Sequence, residues 1–205
     1  MKRRIRFLLP LMVFALAGCI DSEAPLSDPD KAKPDEQLLG QWRSTEKLPP
    51  GSELEALTIE KFSADGYPAG VMKFVMTSKS EKKTSYNLAF RTELKGKTYL
   101  NFLDKWLDVS VKPPAWKEPG KRRFLINKYA VKDDKLTIWL VGDEAPLKKA
   151  VMEERLKGGV RPQGYLDFEP TVRLTDTTAN LAKFVAKEDE NLFLEQKKVV
   201  FFRSK

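Results

Sequence analysis

The chain holds one thiol, Cys19, and no imidazole at all. Without histidine, a Ser-His-Asp triad, a histidine general base and a histidine-ligated metal site are all ruled out. The carboxylates available for hydrolysis are Asp104 and Asp108, Asp133-Asp134, Glu153-Glu154 and Glu188-Asp189-Glu190. A glycosidase holds two carboxyl groups about 5–10 Å apart across a cleft. Asp133-Asp134 reads instead as a turn, Glu153-Glu154 as a helix surface and the 188–190 run as a helix end. A solvated strand edge accounts for Asp104 and Asp108. Lys121-Arg122-Arg123 is a basic cluster of the kind that meets a phosphate, or more simply a solvated loop. These types and spacings point to no catalytic centre, metal or cofactor.

Cys19 stands in a specific context. Lys2, Arg3, Arg4 and Arg6 precede an eleven-residue apolar run, Phe7 to Ala17, interrupted at Pro10. Eleven residues suit the apolar region of a signal peptide, whereas a spanning helix needs roughly 20. Leu16-Ala17-Gly18-Cys19 resembles the lipobox of bacterial lipoproteins. That resemblance implies a cysteine alkylated on sulfur by diacylglycerol, freed by cleavage before it and acylated on its new amine. Two or three chains anchor stably where one binds only marginally. With the thiol so used, neither a nucleophilic thiol nor a disulfide remains. Ile20, rather than Asp, follows the cysteine, which in the Gram-negative lipoproteins this resembles implies the outer membrane rather than the inner, facing the periplasm.

The formal charge of +8 is unevenly spread. Removal of the leader, residues 1–18, takes four basic groups and leaves 187 residues at +4. Ile20 to Gln37 carries six acids against Lys31 and Lys33, so residues 38–205 carry +8. Ile20 to Gln37 also holds Pro25, Pro29 and Pro34 and few large apolar groups, a composition expected to stay disordered. Such a tether, residues 19–37, would span roughly 23 Å as a coil. A basic domain attracts nucleic acid, anionic head groups or acidic polymers. An envelope address excludes nucleic acid, and scattered lysines equally serve solubility.

From residue 38 onward, period-two alternation dominates. Leu57 to Phe62 leads through Asp65-Gly66 to Val71–Met76; Tyr86, Leu88 and Phe90 alternate; Lys95-Gly96-Lys97 joins that run to Thr98–Leu103. Arg123–Val131 and Lys135–Val141 flank Asp133-Asp134, and Leu192–Glu195 and Val199–Arg203 close the chain. About ten short strands, sequential neighbours paired, make an antiparallel meander and favour a single barrel. Two helices are expected. One is capped by Asp143 or Glu144, with Pro146 in its first turn, and stops at Gly158. The other is capped by Thr175 or Asp176, with Leu181, Phe184 and Val185 on one face.

Gly40-Gln41-Trp42, on the first expected strand, resembles the G-x-W signature of lipocalins and their calycin relatives. The resemblance implies a tryptophan that closes one barrel end and packs against a basic residue of a late strand, for which Arg203 is the candidate. The chain lacks a clear T-D-Y motif and has two helices where lipocalins have one. Strand aromatics such as Phe74, Phe90, Tyr99 and Trp139 line a cavity in a ligand-binding barrel, or fill the core of a small one. Trp106 and Trp116 flank a proline-rich loop and are candidates for an open barrel mouth. The expectation is a mainly β, lipocalin-like barrel on a membrane-anchored, non-enzymatic lipoprotein. It holds a lipid or small apolar ligand, or else docks an envelope protein through the loops of a filled barrel.

Overall fold

The computed structural model describes residues 20–44, 54–78, 84–103, 123–161 and 171–204. Its strands are β1 (Ile20–Ser22), β2 (Gly40–Ser44), β3 (Leu54–Lys61), β4 (Val71–Ser78), β5 (Thr84–Leu94) and β6 (Lys97–Leu103). They continue with β7 (Phe124–Lys132), β8 (Lys135–Trp139), β9 (Gly158–Val160), β10 (Val172–Leu174) and β11 (Lys198–Arg203). Helix α1 is Ala145–Met152 and helix α2 is Thr178–Leu192. Strands β2 to β8 pair in sequence, β11 joins β8 back to β2, and β6 pairs with β7. The result is a closed, eight-stranded antiparallel barrel of lipocalin-like plan, with no barrel edge left for another chain to extend. A smaller sheet branches from β7: β1 pairs antiparallel with Phe124 to Ile126 and parallel with β10, which pairs with β9.

The barrel has two dissimilar ends. At one, Lys95-Gly96 joins β5 to β6 and Asp133-Asp134 joins β7 to β8, with φ of 50°, 75°, 52° and 56° in chain order. Two positive φ angles in a two-residue loop are the twist-matched hairpin turn, which Gly and Asp tolerate best. At the opposite end β2, β4 and β6 finish at Ser44, Ser78 and Leu103; the segments 45–53, 79–83 and 104–122 lie outside the described residues.

Alternation places one apolar set inside the barrel. Trp42, Leu57, Ile59, Met72, Phe74, Ala89, Leu100, Tyr129, Leu136, Val199 and Phe201 come from all eight strands and form one buried cluster with Leu38. An eight-stranded barrel has room to be filled by its own side chains or to hold one small ligand. Strands β5 to β7 are apolar on their outer face too. Leu88, Phe90, Tyr99, Phe124 and Ile126 pack beneath the two helices, with Leu147 and Ala150 of α1 and Leu181, Val185 and Leu192 of α2. Each such Leu, Ile, Val or Phe, fully buried, contributes about 1.5–3 kcal/mol.

The disordered tether expected over 20–37 is overturned. Ile20 and Ser22 are fully buried in β1, and Leu26 and Leu38 reach the core. A turn of 3₁₀ helix at Pro29–Lys31 is capped by the Asp28 side chain. Backbone bonding explains the order where composition did not: Leu26 N–H donates to Asn101 Oδ1 at 2.8 Å, and Glu23 N–H to Leu174 O at 2.9 Å. The folded domain therefore includes Ile20 to Gln37 rather than starting at Leu38. Two further corrections concern the helices. Leu192–Glu195 is not a strand, because Leu192 ends the buried stripe of α2. Helix α1 stops at Met152 rather than Gly158, and Leu156 reaches the core from the turn that follows.

Candidate functional site

The short-turn end of the barrel is closed by a built cluster. Trp42 is fully buried, and its indole Nε1–H donates to Leu38 O at 2.7 Å. Register brings Arg203 of β11 directly opposite Trp42 of β2. The guanidinium carbon lies 4.2 Å from the indole ring centroid, close enough for cation–π attraction. Each of its three nitrogens donates: Nη1 to Leu39 O and Nη2 to Gln37 O, both at 2.7 Å, and Nε to Asp134 Oδ1 at 3.0 Å. Gly40 is required here twice over. Its φ is +125°, and a Cβ would come within 2.8 Å of Arg203 Nη1.

The segment that Arg203 reads, residues 35–39, lies across this end of the barrel. Tyr129, inside the barrel, donates its hydroxyl to Asp35 Oδ2 at 2.6 Å. Burial first, and then this bond to a carboxylate, raise the Tyr129 pKa well above the usual tyrosine value. Tyr129 is a neutral donor throughout the ordinary pH range. The cluster fixes the plug and presents no reactive group.

A second polar centre lies on the outer wall, where α2 meets β6 and β7. Asp189 is buried, and it accepts from Lys97 Nζ at 2.7 Å, Lys128 Nζ at 2.7 Å and Tyr99 Oη at 2.6 Å. Burial pushes its pKa up, but the donors from Lys128, Lys97 and Tyr99 outweigh it and hold the carboxyl below its usual range. The bond to Asp189 raises Lys97 in turn. Lys128 also lies 5.2 Å from the Trp139 ring centroid. The 188–190 run is thus not simply a solvated helix end. Its middle member turns inward and latches the helix to the barrel, whereas Glu190 stays exposed. No sequence signal separated Asp189 from its acidic neighbours except its place on the stripe of Leu181, Val185 and Leu192.

Other residues singled out in the sequence fall elsewhere. Cys19, Trp106, Trp116, Asp104, Asp108, Lys121 and Arg122 lie outside the described residues. Arg123 donates through Nε to the buried Asp21 at 2.8 Å, so it braces β1. Asp134 holds Arg203, and Glu153 pairs with Arg155. Among the described residues, no group of three or more Cys, Asp or Glu is placed to hold a metal ion, and no helix is long and apolar enough to cross a membrane. A shallow surface pocket of about 290 Å³ lies between the N-terminal segment and β5. Lys31, Lys33, Arg91, Asp28 and Glu93 line it, and Ser27 is bonded there to Thr92. No family model, no curated protein and no solved structure matches this chain.

Proposed function

We propose that this chain is a lipid-anchored, non-enzymatic envelope lipoprotein whose filled barrel is a rigid platform for docking another envelope protein. One observation carries the choice of docking over ligand storage: apolar side chains from all eight barrel strands, most of them large, meet in a single buried cluster inside the barrel. A carrier needs several hundred cubic ångströms of apolar space, and these interior positions are occupied by Trp42, Phe74, Leu100 and Tyr129. The address rests on the lipobox-like Leu16-Ala17-Gly18-Cys19, and the non-catalytic reading on a chain without histidine. In this reading the recognition residues belong to the connections 45–53, 79–83 and 104–122, the last with Trp106 and Trp116, which lie outside the described residues.

Titration of the mature protein with a fluorescent fatty acid tests the choice. Docking through the surface predicts no saturable one-to-one binding. Saturable binding displaced by unlabelled fatty acid would return the protein to the carrier class. The address is tested separately by metabolic labelling with an alkyne fatty acid, which Cys19→Ser should abolish.

A further inference from the structure

We infer that the protein has no spacer between its lipid and its fold, and that it therefore lies on the bilayer in one orientation, with the surface of α1 and β9 against anionic head groups. The inference rests on the lipid-anchor reading of Cys19. The cysteine is one peptide bond, about 3.8 Å between Cα atoms, from Ile20. Ile20 is 0% exposed and begins a strand held on both edges, by β7 through Ile20↔Ile126 and by β10 through Asp21↔Arg173. The Asp21–Arg123 ion pair and the Leu26–Asn101 bond fasten the next turns of chain. An anchor attached there cannot swing through the tens of ångströms that a coil of eighteen residues would allow.

Register then says which side faces the membrane. Adjacent strands lie about 4.8 Å apart, so β10 and β9 are the first and second neighbours of the strand that carries the anchor. The β3 wall is four strands from β7 in either direction round the barrel, and faces away. The surface beside the anchor has the right chemistry. Between Asp143 and Arg161, five basic residues stand against Asp143, Glu144, Glu153 and Glu154. Lys148 and Lys149 meet their acidic neighbours only at 3.9 Å. Met152 at 80% and Val160 at 45% are two of the three large apolar side chains exposed among the described residues. Basic groups around isolated apolar ones suit an anionic interface, where each lysine near the surface adds attraction.

Because Cys19 is the chain's only cysteine and carries the lipid, an introduced thiol can be labelled uniquely. Acylated full-length Val160→Cys and Asp65→Cys, each carrying an environment-sensitive fluorophore, are bound to vesicles containing phosphatidylglycerol and a head-group spin-labelled lipid. Quenching at position 160 is expected to be at least threefold that at position 65, in the β3–β4 turn. Adding Lys148→Glu and Lys149→Glu should lower that ratio, and a ratio the reversal leaves unchanged overturns the role of the basic face. Equal quenching at the two positions on acylated protein overturns the orientation alone. The mass of the N-terminal peptide from the same sample separates this from the other failure: a Cys19 without acyl groups overturns the address beneath it.

Discussion

Arg203 lies over Trp42 with its guanidinium 4.2 Å from the ring centroid, while its two terminal nitrogens hold the carbonyls of Gln37 and Leu39. One side chain thus ties the last strand to the first barrel strand and to the plug between them. Charge-assisted bonds of this kind contribute about 1.5–3 kcal/mol each when the partner is buried. Arg203→Ala is expected to lower unfolding free energy in urea by about 2–4 kcal/mol, and Arg203→Lys, which keeps charge but not the fork, to recover less than half of that loss. Gly40→Ala should cost about 2 kcal/mol through its positive φ and the crowding of Arg203. An unchanged urea midpoint in any of the three would contradict this role.

The Asp189 latch predicts a pH dependence with a definite sign. Its carboxyl is held below the ordinary carboxylate range by Lys128, Lys97 and Tyr99 despite burial. A depressed folded pKa gives stability that is present above about pH 4 and lost as pH falls through the folded value. Lys97, raised by the same contact, contributes below about pH 10.4 and loses that contribution as pH rises through its own folded value. Asp189→Asn leaves two lysines without their shared partner and should cost about 3 kcal/mol at pH 7. Its stability curve should also be flatter below pH 5 than that of the natural protein. Parallel curves would exclude Asp189 as the acid-sensitive group.

The proposed filling of the interior is tested by emptying it. Phe74 packs edge-on against Phe102, with ring centroids 5.0 Å apart. Phe74→Ala should destabilise by about 3–5 kcal/mol and leave an apolar cavity. Benzene should raise the melting temperature of this variant and leave that of the natural protein unchanged. Benzene stabilisation of the natural protein would reveal pre-existing space.

Removal of residues 20–37 tests the revised domain boundary. A domain begun at Leu38 loses β1, Leu26 and the partner of Tyr129. Compared with one begun at Ile20, it should lose its sharp urea transition or several kcal/mol of stability. Equal midpoints would restore the tether reading.

Much of the barrel was legible because its strands are long enough for alternation to show: Leu57 and Ile59, Met72 and Phe74, and the hairpins at Lys95-Gly96 and Asp133-Asp134. Strands β1, β9 and β10 have three residues each, too few for any period. The segment 20–37 reads as disordered because its acids and prolines dominate, yet it is ordered by long-range partners, Asn101, Arg123 and Tyr129, that no local window contains. At the closed end, Gly40, Trp42 and Arg203 were separable by motif. Asp35 was not, since an acid that meets a buried tyrosine looks, in sequence, like any other, and Asp189 was marked only by its place on the buried stripe of α2.

The central claim is that the barrel holds only its own side chains and acts through its surface. Native mass spectrometry of the full mature protein, extracted from its membrane in mild detergent, measures this directly. The predicted mass is that of the chain from Cys19 onward plus its acyl groups, unchanged in ligand content by denaturation. A further stoichiometric mass of a few hundred daltons, lost when the protein unfolds, would contradict it.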